Sequence, residues 1–212
     1  MKKLLLISLF IFLLSCKDET TAPISVEAPV ALEASAVTNE SFTANWNTSS
    51  GANDYALDVS IDANFSIIIE SKSNLAPSST VVDNLSGNTE YYYRVRATVN
   101  GGNASSNSNT IAVTTLPDAP VAVAATSVLS SGFTANWNAV PGISDYLVYV
   151  STENFPAVPP NNLPGYNGIE VMGTSLEVVG LNSGTIYYYV VKAKNDGGAS
   201  TISNSIEVWT SN

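Results

Sequence analysis

The chain has 212 residues, 8 basic against 18 acidic side chains, a formal net charge of −10, no histidine and one cysteine. The missing imidazole excludes Ser-His-Asp and Cys-His catalysis and histidine metal ligands, and a lone cysteine cannot close an internal disulfide. An acidic chain also lacks the basic counter-surface that nucleic acid requires.

Lys2 and Lys3 precede an apolar run from Leu4 to Leu14 that only Ser8 interrupts. As a helix this run spans about 16 Å, short of a bilayer core of about 30 Å. A positive start and a short apolar middle read as a secretory signal over residues 1–15. Its end, Leu13-Leu14-Ser15-Cys16, resembles the lipobox of bacterial lipoproteins. That resemblance implies cleavage after Ser15 and a lipid on Cys16, which would hold the chain at a membrane. Lys17-Asp18-Glu19 resembles the surface-export signal of Bacteroidetes lipoproteins. The implied location is the bacterial outer membrane, lipid-anchored and facing outward. Without Lys2 and Lys3 the mature chain keeps 6 basic and 18 acidic residues, a net charge of −12. Residues 16–25, which begin with the lipidated cysteine, read as a hydrated tether.

From there the chain repeats. Phe42-Thr43-Ala44-Asn45-Trp46-Asn47 returns as Phe133-Thr134-Ala135-Asn136-Trp137-Asn138, with the tryptophans 91 residues apart. Within each copy apolar residues recur at every second position. Phe42, Ala44 and Trp46 lead, followed by Tyr55, Leu57 and Val59, then Tyr91, Tyr93, Val95 and Ala97, then Ile111 and Val113. Copy two has Phe133, Ala135 and Trp137, then Tyr146, Val148 and Val150, then Tyr187, Tyr189, Val191 and Ala193, then Ile206 and Val208. Alternate strand residues point to opposite faces, so each strand has one apolar side. Breakers such as Asn100-Gly101-Gly102 and Asp196-Gly197-Gly198 mark the turns. Two sheets packed by their apolar faces satisfy this pattern, once in residues 26–116 and again in 117–212. Pro117 and Pro120 stiffen the junction.

Ala28-Pro29, Phe42-Thr-Ala-Asn-Trp46, the Leu85 to Tyr91 spacing and their counterparts in copy two resemble the fibronectin type III family over roughly residues 26–212. The resemblance implies an all-β fold: two tandem immunoglobulin-like Greek-key β-sandwiches of seven strands each. It implies that Trp46 and Trp137 fill the two cores and that Leu85 and Leu181 plug the sandwich ends. It also implies that Tyr91 and Tyr187 form tyrosine corners, their hydroxyls tied to nearby backbone. The integrin-binding Arg-Gly-Asp of some family members is absent.

For function, the inventory favours recognition over chemistry: no enzyme, no cofactor and no metal. Asp54 and Asp58 share the polar face of a strand and read as solubilising, which leaves a carboxylate-dependent hydrolase a remote alternative. Tyr92 and Tyr188 point outward beside the inward tyrosines, with Arg94 and Arg96 next to one and Lys192 near the other. A ring beside cations can stack on a sugar or a peptide, although aromatics favour strands on either face. Copy two carries an insertion, residues 154–168, with four prolines and two glycines. Its Leu163 and Tyr166 either cover the sandwich edge or present a contact patch. The expectation is a non-catalytic surface lipoprotein that binds or adheres to a protein or glycan through Tyr92, Arg94, Tyr166 or Tyr188. The alternative is a passive spacer.

Overall fold

The computed structural model describes residues 25–76, 78–100, 102–155 and 162–212. The signal segment, Cys16 and the tether up to residue 24 lie outside the described residues, as do residues 156–161 of the insertion.

The first domain has seven strands: β1 (Ala31–Ser35), β2 (Phe42–Trp46), β3 (Asp54–Ser60), β4 (Ile68–Leu75), β5 (Ser79–Val82), β6 (Glu90–Thr98) and β7 (Ile111–Thr114). They form two antiparallel sheets, ordered β1-β2-β5 and β4-β3-β6-β7. The second domain repeats this with β8 (Ala122–Thr126), β9 (Gly132–Trp137), β10 (Asp145–Ser151), β11 (Asn162–Met172), β12 (Ser175–Val179), β13 (Ile186–Asn195), the two-residue β14 (Gly198–Ala199) and β15 (Ile206–Trp209). Its sheets run β12-β9-β8 and β11-β10-β13, with β14 and β15 both on β13. The fold is therefore all-β, two sandwiches in tandem.

The alternation maps directly onto burial. Trp46 and Trp137 are 1% and 3% exposed and sit in separate cores. Trp46 packs on Tyr55 with ring centroids 5.7 Å apart, and Trp137 on Tyr146 at 5.6 Å. The Tyr91 hydroxyl accepts the Ser86 amide at 2.9 Å, and that of Tyr187 accepts the Asn182 amide at 3.0 Å. Leu85 packs half-buried against the first core, and Leu181 lies inside the second.

The repeated asparagine has a structural job. Between β1 and β2 the ladder slips from Leu32 to Ser35, leaving carbonyls without strand partners. Asn45 Nδ2 donates there to the Glu33 carbonyl at 2.9 Å and to Ser35 Oγ at 3.0 Å. Asn136 does the same for the Ala124 carbonyl and Thr126 in the second domain. From the opposite sheet, the buried Tyr93 hydroxyl donates to the Leu32 carbonyl and accepts the Asn45 amide at 3.2 Å. Tyr189 makes the matching bonds to Val123 and Asn136. A buried phenol needs such partners. These tyrosines, apolar in the sequence pattern, carry a polar tie across the core.

The domains also touch. Asn195 Nδ2 donates to Asn88 Oδ1 at 3.0 Å and to the Thr115 carbonyl at 2.9 Å. Its Oδ1 accepts the amides of Gly197 and Gly198. A Cβ at Gly197 would lie 2.3 Å from the Thr114 carbonyl, so only glycine admits this approach.

Candidate functional site

Of the four candidate recognition residues, Tyr92, Arg94 and Tyr188 are expected on the outer faces of the larger sheets and Tyr166 in the insertion. They do not converge. Tyr92 and Arg94 lie on β6 of the first domain, Tyr188 on β13 of the second, and Tyr166 on the edge strand β11.

In the first domain the face is occupied by its own contacts. Asp58 is 4% exposed, which corrects its reading as a solvated, solubilising carboxylate. Arg96 Nη1 lies 2.9 Å and Arg94 Nε 3.3 Å from Asp58 Oδ2, and Ser71 Oγ donates to Oδ1 at 3.0 Å. The reason is tertiary. β3 is an inner strand, and the segment after it folds over its outer face. Asp62 builds that turn by accepting the amides of Asn64, Ser66 and Ile67. Those bonds hold its carboxyl below the ordinary value against the opposing effect of desolvation. The turn sets Phe65 at φ +57°, and the Arg94 guanidinium sits 4.0 Å above the Phe65 ring. Left-handed backbone at such a residue costs about 1–2 kcal/mol, offset here by the turn and the cation–π contact. The Tyr92 hydroxyl donates to Glu90, which raises the phenol above its ordinary value.

Tyr166 is half-buried and, with Leu163, packs against the second core. Its hydroxyl accepts the Val179 amide at 2.8 Å and donates to the Val179 carbonyl at 3.2 Å. The ring thus crosses from β11 to the last residue of β12, an edge strand, which is edge cover. The first domain closes the same gap with charge: Lys72 donates to the Val81 carbonyl and pairs with Glu70 at 3.2 Å. Inward charges on an edge strand discourage stray pairing.

The second domain's outer face differs. At the register of Asp58 opposite Arg94 stands Tyr149 opposite Val190, and Val190 is fully buried. Farther along, Ile186 pairs directly with Trp209, and Tyr188 with Glu207. Trp209 is 67% exposed and Ile186 39%. The Tyr188 hydroxyl donates to Glu207 Oε2 at 3.0 Å, raising its phenol above the ordinary value. Trp209 is the residue that sequence reasoning passed over. Its signal was present: copy one has Thr114 where copy two has Trp209, beside the inward Val113 and Val208.

Two antiparallel sandwiches in series, each with a tyrosine corner, define a modular, immunoglobulin-like class of protein. The chain belongs to the fibronectin type III family, whose domain model matches residues 27–114 and 118–209. This family is a non-catalytic module. Among the described residues no group of three His, Cys, Asp or Glu side chains could hold a metal, and no helix is long and apolar enough to cross a membrane. Chitinase A1 of Niallia circulans is 29% identical over 91% of this chain, which spans 26% of that protein's length. Among solved structures, the chicken CNTN1 FN1–FN3 domains align at 20% identity and TM-score 0.45, covering 88% of this chain and 69% of that one. A two-domain fibronectin type III segment of chicken tenascin aligns at 19% identity and TM-score 0.46, covering 87% of this chain and all of that one.

Proposed function

We propose that the chain is a lipid-anchored module of the bacterial outer membrane, displayed outward, that binds a macromolecule without transforming it. The anchor rests on the lipobox-like Leu13-Leu14-Ser15-Cys16, and outward display on Lys17-Asp18-Glu19. Cys16→Ser should free the protein from the membrane fraction or block its processing; continued membrane retention with normal processing contradicts the anchor.

The observation that carries the binding reading is the exposed Trp209–Ile186 pair on one domain of a repeated fold. A pure spacer has no need of it, because the first domain folds the same way with Glu90 opposite Thr114. Similarity to a stretch of a protein named a chitinase favours a glycan-related setting. The test is a binding screen of the full chain, purified in detergent, against neutral polysaccharides and envelope proteins. Saturable binding to either panel supports the module. Its absence from both favours the spacer.

A further inference from the structure

Within that binding-module reading, we propose that Trp209, Ile186, Tyr188 and Glu207 form a platform that stacks on the sugar rings of an uncharged polysaccharide. The four residues occupy two cross-strand pairs on one face of the β13–β15 ladder, Ile186 opposite Trp209 and Tyr188 opposite Glu207. The inward neighbours Tyr187 and Val208 are buried, so the ladder is anchored in the core and the outward side chains rest on a rigid base.

The ligand class comes from the chemistry of these side chains. An indole that is 67% exposed beside an exposed isoleucine offers an apolar surface on the face of a sheet. The C–H face of a pyranose ring is apolar and matches it, and its hydroxyls need acceptors at the rim. Glu207 supplies them: a carboxylate has two oxygens and about four acceptor positions, and only Oε2 receives the Tyr188 hydroxyl at 3.0 Å. The platform contains no cation, and the chain carries a net charge of −10. A sulfated or uronic-acid glycan, an anionic lipid surface or nucleic acid would therefore meet like charge. A neutral glycan meets none.

The comparison inside the chain supports a purpose beyond folding. Trp209 and Ile186 replace Thr114 and Glu90 of the first domain at equivalent register, and both domains build the same sandwich around those positions. The replacement runs the same way at the centre of the face, where Asp58 and Arg94 of the first domain give way to Tyr149 and Val190, but there Val190 is buried and offers no exposed surface. Trp209 and Ile186 thus give the β13–β15 end of the second domain's outer face an exposed apolar surface that the first domain lacks at the same register.

The test uses the full chain purified in detergent, with chitin, cellulose, mannan and xylan powders as probes and tryptophan emission as a second readout. Trp46 and Trp137 are buried whereas Trp209 is exposed, so stacking on sugar should shift the emission of Trp209 alone to the blue. Trp209→Ala should weaken binding about tenfold or more, the size expected for a central aromatic contact, and should abolish the shift. Tyr92→Ala should do neither. Thermal melts of the Trp209→Ala variant should match the parent, which separates loss of contact from loss of fold. Full polysaccharide binding by Trp209→Ala overturns the platform and leaves the module reading intact. Binding to envelope protein but to no powder does the same. Binding to nothing overturns both. Trp209-dependent self-association, or Trp209-dependent attachment to phosphatidylcholine vesicles without glycan binding, would assign the surface to a second copy or to lipid and overturn the proposal.

Discussion

At one outward register position the first domain sets Glu90 against Thr114, and the second sets Ile186 against Trp209. At another the first sets Asp58 against Arg94, and the second Tyr149 against Val190. Inside, the same strands are nearly interchangeable: Trp46 and Trp137, Tyr55 and Tyr146, Phe42 and Phe133, and Tyr93 and Tyr189 repeat their ring contacts to within about 5° and 0.1 Å. The difference teaches where the constraint lies. Packing across two sheets admits few changes, whereas the outer face admits either ions or apolar rings. What the outer face carries is therefore free to reflect use.

The comparison breaks most violently in the core. Trp46→Ala and Trp137→Ala should each cost about 3–5 kcal/mol, a large share of the stability of a domain this size. Urea titrations should show each substitution shifting the transition of its own domain. A single shared transition moved equally by both would mean that the contacts of Asn195 with Asn88 and Thr115 couple the domains into one cooperative unit.

Next in size is the ionic centre of the first domain's outer face. Asp58→Ala leaves Arg94 and Arg96 without their carboxylate partner, with side chains 24% and 35% exposed. Partial solvation limits the loss to about 1–3 kcal/mol. Replacing the whole group with the second domain's residues (Asp58→Tyr, Arg94→Val and Arg96→Lys together) should be far milder than Asp58→Ala, because removing both sides of a buried pair is often neutral or stabilising. If the triple variant is as damaged as the single one, the two faces are not alternative solutions to one packing problem.

A smaller effect sharpens the likeness of the cores. Burial raises the phenols of Tyr93 and Tyr189 above the ordinary value, partly opposed by the Asn45 and Asn136 backbone contacts. The unfolded phenol ionises first, at about pH 10. The stabilisation tied to the neutral phenols is thus complete below that pH and falls as pH rises towards the folded-state values. Both domains should lose stability in parallel between about pH 10 and pH 11. Tyr93→Phe should flatten that slope in the first domain only, read from urea midpoints across the range.

Much of the fold was legible because a two-residue period, repeated twice with matched turns, leaves few architectures. The site was less legible for reasons of physics. Alternation states which way Asp58 points but not what lies above it; the turn built by Asp62 and the placement of Phe65 are tertiary. Tyr93 and Tyr189 share the inward parity of valines, and nothing in parity reveals that their hydroxyls reach an irregular ladder on the other sheet. The length of the insertion at residues 154–168 was visible, whereas the partner of Tyr166 on β12 depended on how β11 crosses the edge. Trp209 was readable in principle. A search for sameness finds Val113 in Val208 and passes the neighbour that differs.

The central claim is that this difference between the domains serves binding and not folding. It is tested most directly by writing the first domain's residues into the second, Ile186→Glu with Trp209→Thr, in the full chain. The account predicts stability within about 1 kcal/mol of the parent, as for surface substitutions, together with a loss of neutral-polysaccharide binding of about tenfold or more. Unchanged binding in the folded double variant, or collapse of the second domain, would contradict it.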